Sequence, residues 1–143
     1  MMRNPTHAAL TATAAACLWA ATALPAAAGG PVMLAGHDPD DHGFQAQYAQ
    51  LLTAMRAAVY NGGNGILAIG ANTGSQASSW INSVASQMSP PQTVTFVNGS
   101  AISSVSFSDY AILYIPSTDA NVSGGINSSN EQPRLVARAV DVA

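Results

Sequence analysis

The feature that most constrains the fold is a set of short runs whose side chains are apolar at consecutive rather than alternate positions. Residues 31–36, 65–70 and 110–115 are continuous apolar stretches, and 93–97 adds a β-branched and aromatic one. A strand that is apolar on both faces must be covered on both faces, which points to a parallel sheet rather than to hairpins with one wet side. Helical stripes lie between these runs. Phe44, Tyr48, Leu51, Leu52, Met55 and Val59 recur with helix spacing and are followed by Asn61-Gly62-Gly63, a C-terminal stop. Trp80, Ile81, Val84, Ala85 and Met88 form a second stripe, stopped by Pro90-Pro91. Pro133 suits the first turn of a third helix, with Leu135, Val136, Ala139 and Val140 on one face. The order β-α-β-α-β-β-α predicts a three-layer α/β fold with a mostly parallel, four-stranded sheet. With right-handed crossovers the expected spatial order is 3-2-1-4, an incomplete doubly wound fold. The most demanding connection is 99–109, which must cross from the third strand to the far side of the first.

The first 28 residues read as an export signal. Arg3 and the amino terminus are positive, residues 8–24 are apolar and uncharged, Pro25 breaks the helix, and Ala26-Ala27-Ala28 offers the small side chains that a signal peptidase requires. The predicted organisation is a signal peptide over 1–28 and a single α/β domain over 29–143. This implies secretion or release into a bacterial periplasm, with no stable membrane span after cleavage. Two alternatives remain at this stage. One is an uncleaved anchor, although Thr11, Thr13 and Thr22 interrupt the apolar stretch. The other is lipidation at Cys17, after a weak Ala14-Ala15-Ala16 box.

Charge narrows the function classes. Of 143 residues only 8% are charged, while 48% are hydrophobic. There is no Lys, and Arg3, Arg56, Arg134 and Arg138 form no cluster in sequence, which argues against nucleic acid as a partner. From residue 29 onward three Arg face seven acids, for a net charge of -4, and there is no Cys. Disulfides, thiolate catalysis and Cys-ligated metal sites are thereby excluded from the predicted mature domain.

The predicted last helix runs to Ala143 without a cap, and the apolar 110–115 strand would be left as an edge, where native strands are usually charged or shortened. A further strand is therefore expected to follow; the alternative is a genuine four-stranded domain with a frayed final helix. The stretch from Val32-Met33-Leu34-Ala35-Gly36 through His37-Asp38-Pro39-Asp40-Asp41-His42-Gly43 resembles the opening of exported bacterial domains of the class I glutamine amidotransferase-like, or flavodoxin-like, kind. Residues 108–117 with Gly124-Gly125-Ile126, and 135–143, are similar to their later strand, loop and helix. The resemblance implies the N-terminal part of such a fold, apparently truncated. In that family the nucleophilic Cys lies beyond the elements matched here, so no catalytic residue carries over.

Three loops hold candidate chemistry. His37, Asp38, Asp40, Asp41 and His42 follow the first strand, at the edge where open parallel sheets bind ligands. Imidazoles and carboxylates together suit a divalent metal, yet the spacing matches neither a zincin helix nor a calcium loop, and no cofactor is expected. The simpler reading makes Asp40 or Asp41 a helix cap, with Gly43 as a turn. Residues 70–75 lack the Lys of a phosphate-binding loop and read as a strand-to-helix turn capped by Thr73 or Ser75. Ser117 and Asp119, after the fourth strand, would face the acidic loop across the crevice. They form the remainder of a candidate ligand site, without the G-x-S-x-G elbow that a serine hydrolase needs. Phe44, Tyr48, Met55 and Trp80 are explained by core packing. The expectation is an exported, non-enzymatic α/β domain that binds a small polar ligand or a partner protein, the latter at the exposed edge of the fourth strand. The alternative is a hydrolase or metal-dependent enzyme completed by missing C-terminal sequence.

Overall fold

The computed structural model describes residues 39–58, 62–116, 125–126 and 130–141. Helices α1 (Pro39–His42) and α2 (Gln45–Ala57) are followed by β1 (Ile66–Ile69), α3 (Gln76–Gln87), β2 (Val94–Val97), two 3-10 turns (Gly99–Ser103 and Phe107–Asp109), β3 (Ile112–Tyr114) and α4 (Glu131–Ala137). The three strands form one parallel sheet in the order β2-β1-β3. Ile66 to Ile69 align with Val94 to Val97 on one side, and Ile66 to Ala68 align with Ile112 to Tyr114 on the other.

The α/β class and parallel pairing are as expected from the apolar runs, and the strand order is a correction. The expected order 3-2-1-4 put residues 31–36 between the strands at 66–69 and 112–114. Those two strands instead pair directly. The physical reason lies in β1, where all four residues are buried: it is the strand covered on both faces and flanked on both edges. Consecutive apolar residues mark such a strand, but 31–36 carries the same mark, and hydropathy alone cannot rank the two. Residues 31–36 lie outside the described residues, as do the signal segment 1–28, His37, Asp38, Ser117 and Asp119.

Two helices cover one face of the sheet. Tyr48, Ala49 and Leu52 of α2 pack with Trp80, Ile81, Val84 and Ala85 of α3 over Ile66 and Ile112. The opposite face, with Leu67, Ile69 and Leu113, is covered by Ile102, Val105 and Phe107 of the 3-10 connection and by Leu135 of α4. The β2-to-β3 connection thus crosses β1 on the face opposite α3, as the reversal of direction requires of right-handed crossovers.

The α3 stripe is buried at every expected position. The α2 stripe is narrower than its sequence suggests. Phe44 is 51% exposed and Leu51 39% exposed, so core packing does not account for Phe44. Phe44 precedes the helix with φ 61°, off the helical spiral, and Leu51 lies on the flank of the face defined by Tyr48, Leu52 and Met55. In α4, Pro133 falls in the first turn as expected, while Val136 is 69% exposed. Among the described residues no helix is long and apolar enough to cross a membrane.

Candidate functional site

The acidic loop is built into the structure by its backbone. Gly43, with φ 94°, and Phe44 reverse the chain between α1 and α2, and the Gly43 N–H donates to the Pro39 carbonyl at 3.1 Å. The turn aims the Gly43 carbonyl at α3, where the Trp80 indole N–H donates to it at 2.6 Å. Trp80 itself is held between two tyrosines, edge-on to Tyr48 at 5.2 Å and stacked on Tyr114 at 5.8 Å. Such ring pairs contribute beyond the area they bury.

Asp40 and Asp41 are not helix caps. Asp40 is buried, and its carboxylate accepts a hydrogen bond from the Tyr114 hydroxyl at 2.8 Å. Asp41 accepts from the Gln76 side-chain amide at 2.8 Å, and the same amide lies 3.4 Å from the Asp40 and Asp41 carbonyls. The N-cap position of α2 is Phe44, which makes no side-chain cap. Capping fails because both aspartates fall inside a separate short turn that Gly43 divides from the longer helix. His42 points to solvent, with Nδ1 3.9 Å from an Asp41 oxygen. Burial, and then the negative charge of Asp40, raise the Tyr48 phenol above its ordinary 10.0.

These contacts frame an open cleft of about 260 Å³ lined by Asp40, Asp41, Gly43, Gln45, Gln76, Ser79 and Trp80. It lies where Tyr114, the last residue of β3, meets the start of α3, at the carboxyl edge of the sheet. Of the residues expected in a ligand site, Asp40 and Asp41 line this cleft. His42 adjoins them, and His37, Asp38, Ser117 and Asp119 are outside the described residues. Among the described residues no three His, Cys, Asp or Glu side chains gather closely enough to hold a metal ion. Gln45, Gln76, Ser79 and Tyr114 were not singled out from sequence. Nothing in their local pattern distinguishes them, because only the packing of α1 on α3 and β3 brings them to the aspartates.

The 70–75 loop is a structural turn. Ser75 caps α3, its hydroxyl oxygen accepting from the Ser78 N–H at 3.1 Å. The Gly70 N–H donates to the Asn98 side chain at 2.8 Å and the Ser75 N–H to the Asn72 carbonyl at 2.9 Å, so these donors are engaged within the domain. Asn98 also donates to the Ala71 carbonyl, which ties the ends of β1 and β2 together. Gly70 has φ 84°, and a Cβ there would fall 2.6 Å from the Gly125 carbonyl oxygen. The 125–126 segment therefore packs closely against the end of β1.

The three arginines after residue 29 all bond within the domain. Arg56 reaches Gln92 and Asn64, and Arg134 reaches Asn130 and Ser103. Arg138 pairs with Asp141 at 2.8 Å, donates to the Ile102 and Val105 carbonyls and lies over the Phe107 ring.

No protein-family model, curated protein or solved structure matches this chain.

Proposed function

We propose that the protein is an exported, non-enzymatic binding module with a doubly wound fold of the amidotransferase-like kind. Its ligand is a small, neutral or cationic molecule rich in hydrogen-bond donors, such as a polyol or an amine. The carrying observation is the Asp40–Trp80 cleft at the carboxyl edge. Three hydrogen bonds brace it, Trp80 to Gly43, Gln76 to Asp41 and Tyr114 to Asp40. Among the described residues its lining holds two carboxylates, two amides and a hydroxyl, and no cationic side chain. Anionic ligands would therefore meet repulsion without a counter-charge. A hydrolase or metal-dependent reading would draw on His37, Asp38, Ser117 and Asp119, and no described contact favours it.

The test is an amide and indole NMR titration of exported protein, whose mass should correspond to a chain beginning at Gly29. Maltose, putrescine and inorganic phosphate serve as probes. Maltose or putrescine should shift the Trp80 indole, Gly43 and Gln76 signals, and Gln76→Ala should abolish the response. Silence to both, or an equal response to phosphate, would sink the reading.

A further inference from the structure

We propose that Asn98-Gly99 is a deamidation site held shut by Glu131 of α4, and that its modification unties the carboxyl ends of β1 and β2. None of the residues involved lines the cleft.

Deamidation begins when the backbone nitrogen of the following residue attacks the side-chain carbonyl carbon of asparagine. A new N–C bond closes a succinimide ring, the attacking nitrogen loses its proton and ammonia leaves. Water then opens the ring to aspartate or isoaspartate. A glycine after the asparagine favours closure, because no Cβ crowds the attacking nitrogen and the backbone bends freely. Asn61-Gly62, Asn64-Gly65 and Asn98-Gly99 are such pairs.

The fold occupies both reacting groups of Asn98-Gly99. The Gly99 N–H, which must give up its proton, donates to Glu131 Oε1 at 3.1 Å. The Asn98 amide is bound at both ends: its oxygen accepts from the Gly70 N–H at 2.8 Å, and its nitrogen donates to the Ala71 carbonyl at 3.2 Å. Ring closure requires this side chain to swing onto the Gly99 nitrogen, which breaks all three bonds. Glu131 is 7% exposed and begins α4. Asn130 donates to the same carboxylate oxygen at 3.4 Å and accepts from Arg134, which also reaches Ser103 of the first 3-10 turn. Releasing the Gly99 N–H therefore means moving the start of α4 off that turn. Asn64-Gly65 is restrained by other partners. The Gly65 N–H donates to Gln92 at 3.2 Å and Asn64 accepts from Arg56, so this pair is a reference that α4 does not touch.

The products follow from the same contacts. An aspartate at position 98 sets a carboxylate oxygen against the Ala71 carbonyl in place of a donor, and adds negative charge beside Glu131. Isoaspartate also lengthens the backbone there by a methylene. Either one removes the tie between the strand ends and weakens the seat of α4.

The test follows deamidation in the full chain and in a synthetic peptide of residues 93–104, both in mildly alkaline buffer. Chymotrypsin cuts after Phe96 and Phe107, and fragment spectra read Asn98 and Asn64 separately. Asn98 should react at least about 10-fold more slowly in the protein than in the peptide, and the Gly99 amide should be protected from hydrogen exchange. Glu131→Ala should bring Asn98 close to the peptide rate and leave Asn64 unchanged. Glu131→Gln, which keeps an acceptor oxygen, should stay near the parent. Asn98→Asp should lower the urea midpoint. A peptide-like rate at Asn98 in the parent would overturn the proposal. An unprotected Gly99 amide would do so without recourse to any variant. Equal acceleration of Asn98 and Asn64 in Glu131→Ala would place the protection in the whole fold and overturn it as well. Slowing in that variant would make the carboxylate a base for the attack instead of a restraint, with the same consequence.

Discussion

Asp40 shows how much one side chain's surroundings decide its role. In sequence it is one of three aspartates in a polar run, and helix capping is the economical account. In the fold it is 2% exposed and receives the Tyr114 hydroxyl. A hydrogen bond to a charged acceptor typically contributes about 1.5–3 kcal/mol, and its loss leaves a buried carboxylate without that donor. Tyr114→Phe should therefore destabilise the domain by about that amount, read as a lower urea midpoint at neutral pH. A change under about 0.5 kcal/mol would mean that other donors serve the carboxylate fully. Trp80 was legible as a core residue, because its hydrophobic periodicity and its burial agree. Its indole bond to Gly43 was not, since the partner lies 37 positions away and is brought there by two consecutive residues of positive φ.

Among the elements, α3 was the most legible. Its apolar positions, a cap at Thr73 or Ser75 and its ending before Pro90-Pro91 are all local properties; the structure agrees with the first and last and selects Ser75 as the cap. Ser75→Ala removes the acceptor for the Ser78 N–H and should cost about 1 kcal/mol, while Ser75→Thr should retain most of the stability. Urea melts should show the midpoint falling for the alanine variant at constant slope. α2 was legible in extent but not in face. Periodicity assigns Phe44 to the stripe only if the helix continues backward through it, and the left-handed turn at Gly43 and Phe44 ends it one residue short.

At the scale of the whole molecule, pH links the cleft to stability. Tyr48 belongs to the shared core of α2 and α3, and its phenol is raised above the usual value by burial and by the Asp40 charge. A raised value in the folded state means that the folded protein holds the proton more tightly than the unfolded chain. The associated stability is fully present below about pH 10 and is lost as pH rises through the folded value. Urea midpoints should therefore decline above about pH 10, and Tyr48→Phe should flatten that part of the profile relative to the parent. An unchanged alkaline slope in the variant would show that other groups carry the effect.

The class of fold follows from the amino-acid order alone. Strands apolar on both faces require cover on both, and the helical stripes between them supply it, whatever the strand order. The same holds for the absence of Cys from residues 29–143 and for the sparse charge, which are matters of composition. Strand order is different in kind. Residues 31–36, 65–70 and 110–115 are nearly equivalent in hydropathy, so no local property says which is central. The centre emerges when α2 and α3 share one face and the 3-10 connection takes the other, because handedness then fixes each step. The cleft depends on that arrangement in turn. Asp40, Tyr114 and Trp80 meet because α1, β3 and α3 converge at one edge, and contacts across 37 to 74 positions are invisible to any pattern read along the chain.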